Sequence, residues 1–254
     1  MSPNQLSFYV HIIESPSPEN LLDGYTEGRM LCSFLELAQI PCVYNLAVDR
    51  TQFTEAMTNR LVQGVQFFNL QPILHFSMHG SHDGIQLTHQ REVGEVLKWS
   101  DLAESIKPIN QAMGGGLGIC MSTCGGSHGR KMAEVFRKED VPMGWIVGSS
   151  ASVNFCDAAL AFCAFYRGIQ RGADFGGLIP AVRAASGIDD FAVEFGHLIH
   201  EQYAQRMRDT ISKLMQSLGS AQIHASAVGT QPTTPPNPFF SPGGPFGLPP
   251  RPQQ

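Results

Sequence analysis

The chain has 254 residues, 43% of them hydrophobic, and 17 Lys and Arg against 22 Asp and Glu give it a formal net charge of −5. That length supports one globular domain with a sizeable core plus a tail, and the hydrophobic fraction is ordinary for a folded protein. The mild negative charge, with no basic stripe along any predicted face, argues against nucleic acid as a primary partner, and no run reaches the ~18 apolar residues of a membrane span.

The longest basic cluster, Arg130-Lys131 followed by Arg137-Lys138, reads as a solvated helix face. The N-terminus lacks a basic start and a cleavable apolar core, so no secretory signal is expected. The six cysteines (Cys32, Cys42, Cys120, Cys124, Cys156, Cys163) mostly fall inside apolar runs. They read as reduced thiols of a cytoplasmic protein rather than as a disulfide framework.

Leu6 to Ile13 predicts a first strand. Ser17-Pro18 then offers an N-cap with Pro at the first helical position, and Leu21, Tyr25, Gly28, Cys32 and Leu35 carry one helix to about Gln39. Cys42 to Val48 is a second strand, and Phe53, Met57, Leu61, Val65 and Phe68 mark a second helix. Ile73 to His79 is a buried strand, and Ile85 to Thr88, after the Asp83-Gly84 turn, a short accessory strand or hairpin. Ser100 is placed to cap a third helix running through Leu102, Ile106, Ile109 and Met113.

A strand entering at Gly118 ends at Cys124, and a fourth helix carries Met132, Val135 and Phe136. Trp145 to Ser149 is a fifth strand, and Asn154 to Arg167 a nearly all-apolar, buried helix. Phe191, Phe195, Leu198 and Ile199 begin a long amphipathic helix reaching Leu218. Strands alternating with helices predict an α/β fold with a mostly parallel sheet covered on both faces. The folded domain is expected over 1–218. Residues 219–254, dense in Pro and Gly from Gly229 on, are expected to be a disordered tail. Its Pro-Pro-Asn-Pro-Phe-Phe (235–240) and Pro-Pro-Arg-Pro (249–252) segments could dock polyproline readers.

Two segments carry the chemistry: Ile73-Leu74-His75-Phe76-Ser77-Met78-His79-Gly80 and Gly118-Ile119-Cys120-Met121-Ser122-Thr123-Cys124-Gly125-Gly126. Each is an apolar run ending in a reactive side chain followed by glycine. On neighbouring parallel strands, ~4.8 Å apart, His79 and Cys124 would meet at the carboxyl edge of the sheet, where open α/β sheets hold ligands. An imidazole beside a thiol is the minimum equipment for nucleophilic acyl transfer. A helix starting near Gly126 would add a positive end to favour the thiolate. The N–H groups of Gly80 and Cys124 are the candidate oxyanion donors. Cys120 and His75, deeper on the same strands, read as core.

These residues resemble the caspase-type cysteine peptidases, whose His stands about 50 residues upstream of the Cys. The nearer resemblance is to the bacterial CHAT branch of that clan, through His79-Gly80-Ser81, Asp83-Gly84-Ile85-Gln86-Leu87, Ser100-Asp101-Leu102, Ser122-Thr123-Cys124, Trp145-Ile146-Val147-Gly148 and Asp157-Ala158-Ala159 to Phe165-Tyr166-Arg167-Gly168. It spans roughly residues 5–200. Gly125-Gly126 stands where the family more usually has an acidic residue.

The resemblance implies a caspase-like (caspase-hemoglobinase) three-layer sandwich and an intracellular cysteine endopeptidase with a His79–Cys124 dyad and no cofactor or metal. It further implies regulated proteolysis of specific protein substrates in bacterial defence or cell death, under a separate activating sensor or partner. By analogy with separase-like and metacaspase-like relatives, Asp157, joined by Asp83, would line the pocket for a basic side chain before the scissile bond. Each acid also has a plain structural reading: Asp157 at a helix start, Asp83 in an Asp-Gly turn.

Two other functions compete: a catalytically silent caspase-like interaction module, and a Cys-dependent amidohydrolase acting on a small molecule. The usual nucleophile elbow of the latter is half met, since Gly126 fits but Ser122 does not. A zinc site from His75, His79, His82, Cys120 and Cys124 is disfavoured, because His75 and His79 would lie ~13 Å apart on a strand.

Overall fold

The computed structural model describes residues 6–88, 95–134 and 140–227, with side chains through 216. Its strands are β1 (Phe8–Ser15), β2 (Cys42–Leu46), β3 (Gln71–Gly80), β4 (Gly84–Leu87), β5 (Glu95–Lys98), β6 (Gly118–Ser122), β7 (Trp145–Gly148) and β8 (Ala192–Phe195). Its helices are α1 (Pro18–Asp23), α2 (Glu27–Leu37), α3 (Arg50–Glu55), α4 (Leu61–Phe68), α5 (Trp99–Ala112), α6 (Lys131–Glu134), α7 (Phe155–Gln170), α8 (Phe175–Ser186) and α9 (Gly196–Ala227). The central sheet runs β2-β1-β3-β6-β7-β8, parallel throughout except for antiparallel β8, and the hairpin β4–β5 hangs off the end of β3.

Strand side chains alternate between two apolar layers. Tyr9, Ile13, Leu74, Phe76, Met78, Ile119, Met121 and Ile146 pack with Phe53, Leu61, Leu102, Ile106 and Met132 of α3–α6. Val10, Ile12, Ile73, Cys120 and Val147 pack on the other face with Leu31, Leu35, Phe162, Phe165 and Leu178 of α2, α7 and α8. The result is the α/β, three-layer arrangement with a mostly parallel central sheet that the alternation of elements predicts.

Several elements differ from the sequence expectation. The first predicted helix is two. Ser17 caps α1, Gly24 closes it at φ +79°, and α2 restarts after Thr26, which resets the buried face to Glu27, Gly28, Leu31 and Leu35. The second helix passes through a π-turn at Ala56–Arg60. Ser100 lies inside α5 rather than capping it: Lys98 holds the cap position, and the Ser100 hydroxyl turns to Asp101.

The helix after Cys124 is a short 3₁₀ turn, Gly126–Arg130, followed by the four residues of α6; Val135 and Phe136 lie outside the described residues. Three described elements were not anticipated, β5, α8 and β8. Phe191 and Phe195 flank and end a strand rather than starting the last helix.

The chain divides into two compact units, 1–207 and 208–254. In the second, residues 208–227 are helical, past the boundary expected at Leu218; the Pro-rich segments at 235–240 and 249–252 lie outside the described residues. Among the described residues no helix is long and apolar enough to cross a membrane.

Candidate active site

Strands β3 and β6 are hydrogen-bonded in parallel register, with Ser77 opposite Ser122. His79 and Cys124 each stand two residues beyond that pair, at the carboxyl end of the sheet. His75 and Ser77 share a face of β3 with His79, and that face is turned to α2 and α7. The His75 ring meets Phe162 edge-on at 4.7 Å and its Nδ1 lies 3.0 Å from the Tyr166 hydroxyl. The His79 ring continues the series, 6.3 Å from Phe155 at the start of α7.

Cys124 sits in the turn after β6, half-buried. Its Sγ lies 3.3 Å from Ser152 Oγ and 3.8 Å from the Val153 carbonyl. The thiol is therefore held by the loop after β7, and among the described residues neither ring nitrogen of His79 has a hydrogen-bond partner. The turn itself is tightly tied down. Gly125 N–H donates to Ala151 O, Gly126 N–H to Thr123 O and Ser127 N–H to Ser149 O. Gly125 takes φ +62°, a left-handed conformation open to glycine without strain. Among the described residues the Cys124 N–H has no backbone acceptor, which leaves it free to donate.

Beneath the two strand ends lies a carboxylate that the sequence reading missed. Glu27 Oε2 accepts from Ser77 Oγ (2.5 Å) on β3 and from Ser122 Oγ (2.8 Å) on β6. Its side chain is fully buried, 3.9 Å from His75 Nε2. Burial pushes Glu27 up to about 7, against the two serine hydroxyls that pull it down. Burial likewise drives His75 down to about 3, so at pH values between about 3 and about 7 this contact joins two uncharged groups rather than an ion pair. Beside it, the equally buried Glu14 accepts from Gly28 N–H and from the Tyr44 hydroxyl, and burial raises its carboxyl as well. The clue to Glu27 was its spacing: it lies four and eight residues before Leu31 and Leu35, on the buried stripe of α2.

Asp190 is a second residue that sequence reasoning passed over. Its carboxylate takes Ser149 Oγ (2.6 Å), Ser150 N–H (2.7 Å), Ala151 N–H (2.8 Å) and the Ser150 hydroxyl. It thus organises the loop that reaches Cys124. Partial burial works against its charge, but these donors hold the carboxyl below its ordinary value.

The other expected residues fall as follows. Gly80 packs directly on the Cys124 turn, and its N–H belongs to the strand end that also pairs with Ile85 of β4. Asp157 forms a reciprocal cap with Asn154: Asp157 N–H donates to Asn154 Oδ1 (2.8 Å), and the Asn154 amide donates to the Asp157 carboxylate. Asp83 lies exposed in the β3–β4 turn, its carboxylate 2.9 Å from His82 Nδ1, a contact that lowers its pKa. Cys120 is fully buried, and burial pushes its thiol up to about 12.

His75, His79, His82, Cys120 and Cys124 are not grouped as metal ligands. Among the described residues the group with ligand spacing is Cys32, Glu36 and Cys42, which lie on α2 and β2. The two sulfurs there are 2.9 Å apart, closer than the ~3.8 Å that two thiolates at ~2.3 Å from a tetrahedral zinc would keep.

Between the starts of α2 and α7 a groove of about 530 Å³ opens beside Phe155, lined mainly by apolar side chains.

No family profile matches the chain, and no curated protein matches it. Among solved structures, the chain is similar to the X-ray structure of a secreted C11 cysteine protease from Bacteroides thetaiotaomicron, "iotapain". The identity is 13%, the alignment covers 76% of this chain and 67% of that chain, and the TM-score is 0.49.

Proposed function

We propose that the protein is a cysteine endopeptidase of the caspase-like CHAT type, with His79 as general base and Cys124 as nucleophile. The observation that carries this reading is the β3–β6 register, which has an imidazole and a half-buried thiol two residues beyond the same aligned pair at the carboxyl end of the sheet. The thiol gives its proton to His79, and the thiolate adds to the substrate carbonyl carbon. The oxyanion takes the N–H groups of Cys124 and Gly80. Collapse breaks the C–N bond as His79 returns the proton to the leaving amine, leaving a thioester that water hydrolyses with His79 again as base. For this the thiol must leave its contacts with Ser152 Oγ and Val153 O and turn toward His79, a tightening expected when substrate displaces the resting contacts.

In keeping with the resemblance, the substrate is one or a few proteins. The setting is regulated proteolysis in the cytoplasm, and control comes from a separate sensor or partner. Incubation with a diverse peptide library, read by mass spectrometry, tests the reading: defined cuts are expected that vanish in Cys124→Ala and in His79→Ala. A library left intact under every activating condition, with Cys124 no more reactive than Cys156, would favour a silent interaction module instead.

A further inference from the structure

We infer that the groove between α2 and α7 is the specificity pocket of this site, and that it takes a large uncharged apolar side chain (Leu, Met or Phe class) from the residue before the scissile bond. The inference rests on the peptidase reading above.

Three observations carry it. The first is continuity. Phe155 forms one wall of the groove and also meets the His79 ring, and it follows within two residues the Val153 carbonyl that holds Cys124 Sγ. A substrate side chain next to the attacked carbonyl has that groove within reach. The second is surface chemistry. Tyr25, Met30, Phe155 and Leu160 line the groove yet remain 66%, 43%, 40% and 49% exposed, and Ala159 forms part of its floor. Large apolar side chains left open around a concave surface mark a place where apolar surface is to be covered.

The third observation concerns charge. A Lys or Arg entering the groove would lose its water and need an accessible carboxylate in return. Glu27 is the acid at the groove, but its side chain is fully buried, and one of its oxygens is already held by Ser77 and Ser122. Asp157 turns its carboxylate to Asn154. An incoming Asp or Glu would lose its water too, and the described side chains lining the groove include no Lys, Arg or His to meet it.

The test uses acyloxymethyl ketone peptides identical except for the side chain before the electrophile: Leu, Met, Phe, Lys, Arg or Asp. Attack of the Cys124 thiolate forms the S–C bond and expels the carboxylate, so the adduct mass reports the reaction and peptide mapping reports the site. Rates are divided by that of iodoacetamide at Cys124, which needs no pocket. The Leu, Met and Phe probes are expected to react at least tenfold faster than Lys, Arg and Asp probes. Ala159→Phe, which fills the groove, and Leu160→Glu, on an exposed rim that spares folding, should each cut that advantage to less than threefold.

Faster reaction of the Lys or Arg probe overturns the inference while leaving the peptidase reading standing. So does an apolar advantage undiminished in Leu160→Glu. If no probe modifies Cys124 faster than it modifies exposed Cys156, the peptidase reading falls and the pocket with it.

Discussion

A β-carbon on Gly80 would stand 2.5 Å from the carbonyl oxygen of Cys124 and 2.8 Å from Thr123 Oγ1. The last residue of β3 and the turn after β6 are therefore in backbone contact, and glycine is what permits it. Gly80→Ala is expected to push the two strand ends apart, costing about 1–3 kcal/mol of stability as other overpacking substitutions do. It should slow alkylation of Cys124 by iodoacetamide. Thermal unfolding and labelling measured on the same sample check this. Wild-type values in both would mean that the turn yields without moving the thiol.

Glu27 gives a pH signature. Its folded pKa of about 7 lies above its ordinary 4.5, so its contribution to stability is fully present below pH 4.5 and is lost as pH rises through 7. Buried His75 and His11, pushed down to about 3 and about 4, act in the opposite sense: stability is lost as pH falls below 6.5 and the unfolded chain takes up protons. The Glu27→Gln variant keeps an acceptor for Ser77 and Ser122 and both histidines, so the difference from wild type isolates Glu27. That difference should move in favour of the variant by on the order of 3 kcal/mol between pH 4.5 and 8. Urea unfolding at four or five pH values reads it, and a pH-independent difference would contradict the burial argument.

How much of this site could be read in advance depended on whether a signal was local. β3 and β6 are continuous apolar runs with a reactive residue and glycine at the end, and that pattern survives any tertiary context. β8 was hidden because Phe191, Phe195, Leu198 and Ile199 recur at helical spacing; only antiparallel pairing with β7 makes Ala192–Phe195 a strand. β5 is four residues long and exists by pairing with β4. α8 carries Gly176, Gly177 and Pro180, which mask a helical pattern even though Asp174 caps it. Glu27 was missed for a related reason: one helix drawn through Gly24 put the buried stripe of α2 out of phase. Asp190 had no local signal at all, because its donors lie about 40 residues earlier in the chain.

Asp190 should act on Cys124 through the loop. Asp190→Ala leaves the Ser150 and Ala151 N–H groups and two serine hydroxyls without their acceptor, while the same loop supplies Ala151 O to Gly125, Ser149 O to Ser127 and Val153 O to Cys124. Stability should fall by about 1–2 kcal/mol, and labelling of Cys124 by a peptide electrophile should slow severalfold. Asp190→Asn, which keeps an acceptor oxygen, should recover part of the rate. Because hydrogen bonding holds the Asp190 carboxyl below 3.8, its contribution is present above that pH and is lost only as pH falls through the lowered value. Labelling unaffected by Asp190→Ala would show that the loop holds its shape without this anchor.

Asp157 separates two accounts of specificity. If it selected a basic side chain, Asp157→Asn would flatten a preference for Arg or Lys. Its carboxylate, however, takes the Asn154 amide, while its own N–H is held by Asn154 Oδ1, the reciprocal pattern of a helix-capping pair at the start of α7. A carboxylate in the first helical turn is favoured by the helix dipole whatever else it does. On that footing Asp157→Ala should lower stability by about 0.5–1 kcal/mol. It should leave the ranking of side chains before the cut unchanged, with apolar residues still leading. The same peptide library applied to wild type and variant decides the point. A basic preference in the wild type that disappears in the variant would return Asp157 to the pocket and remove the apolar groove from it.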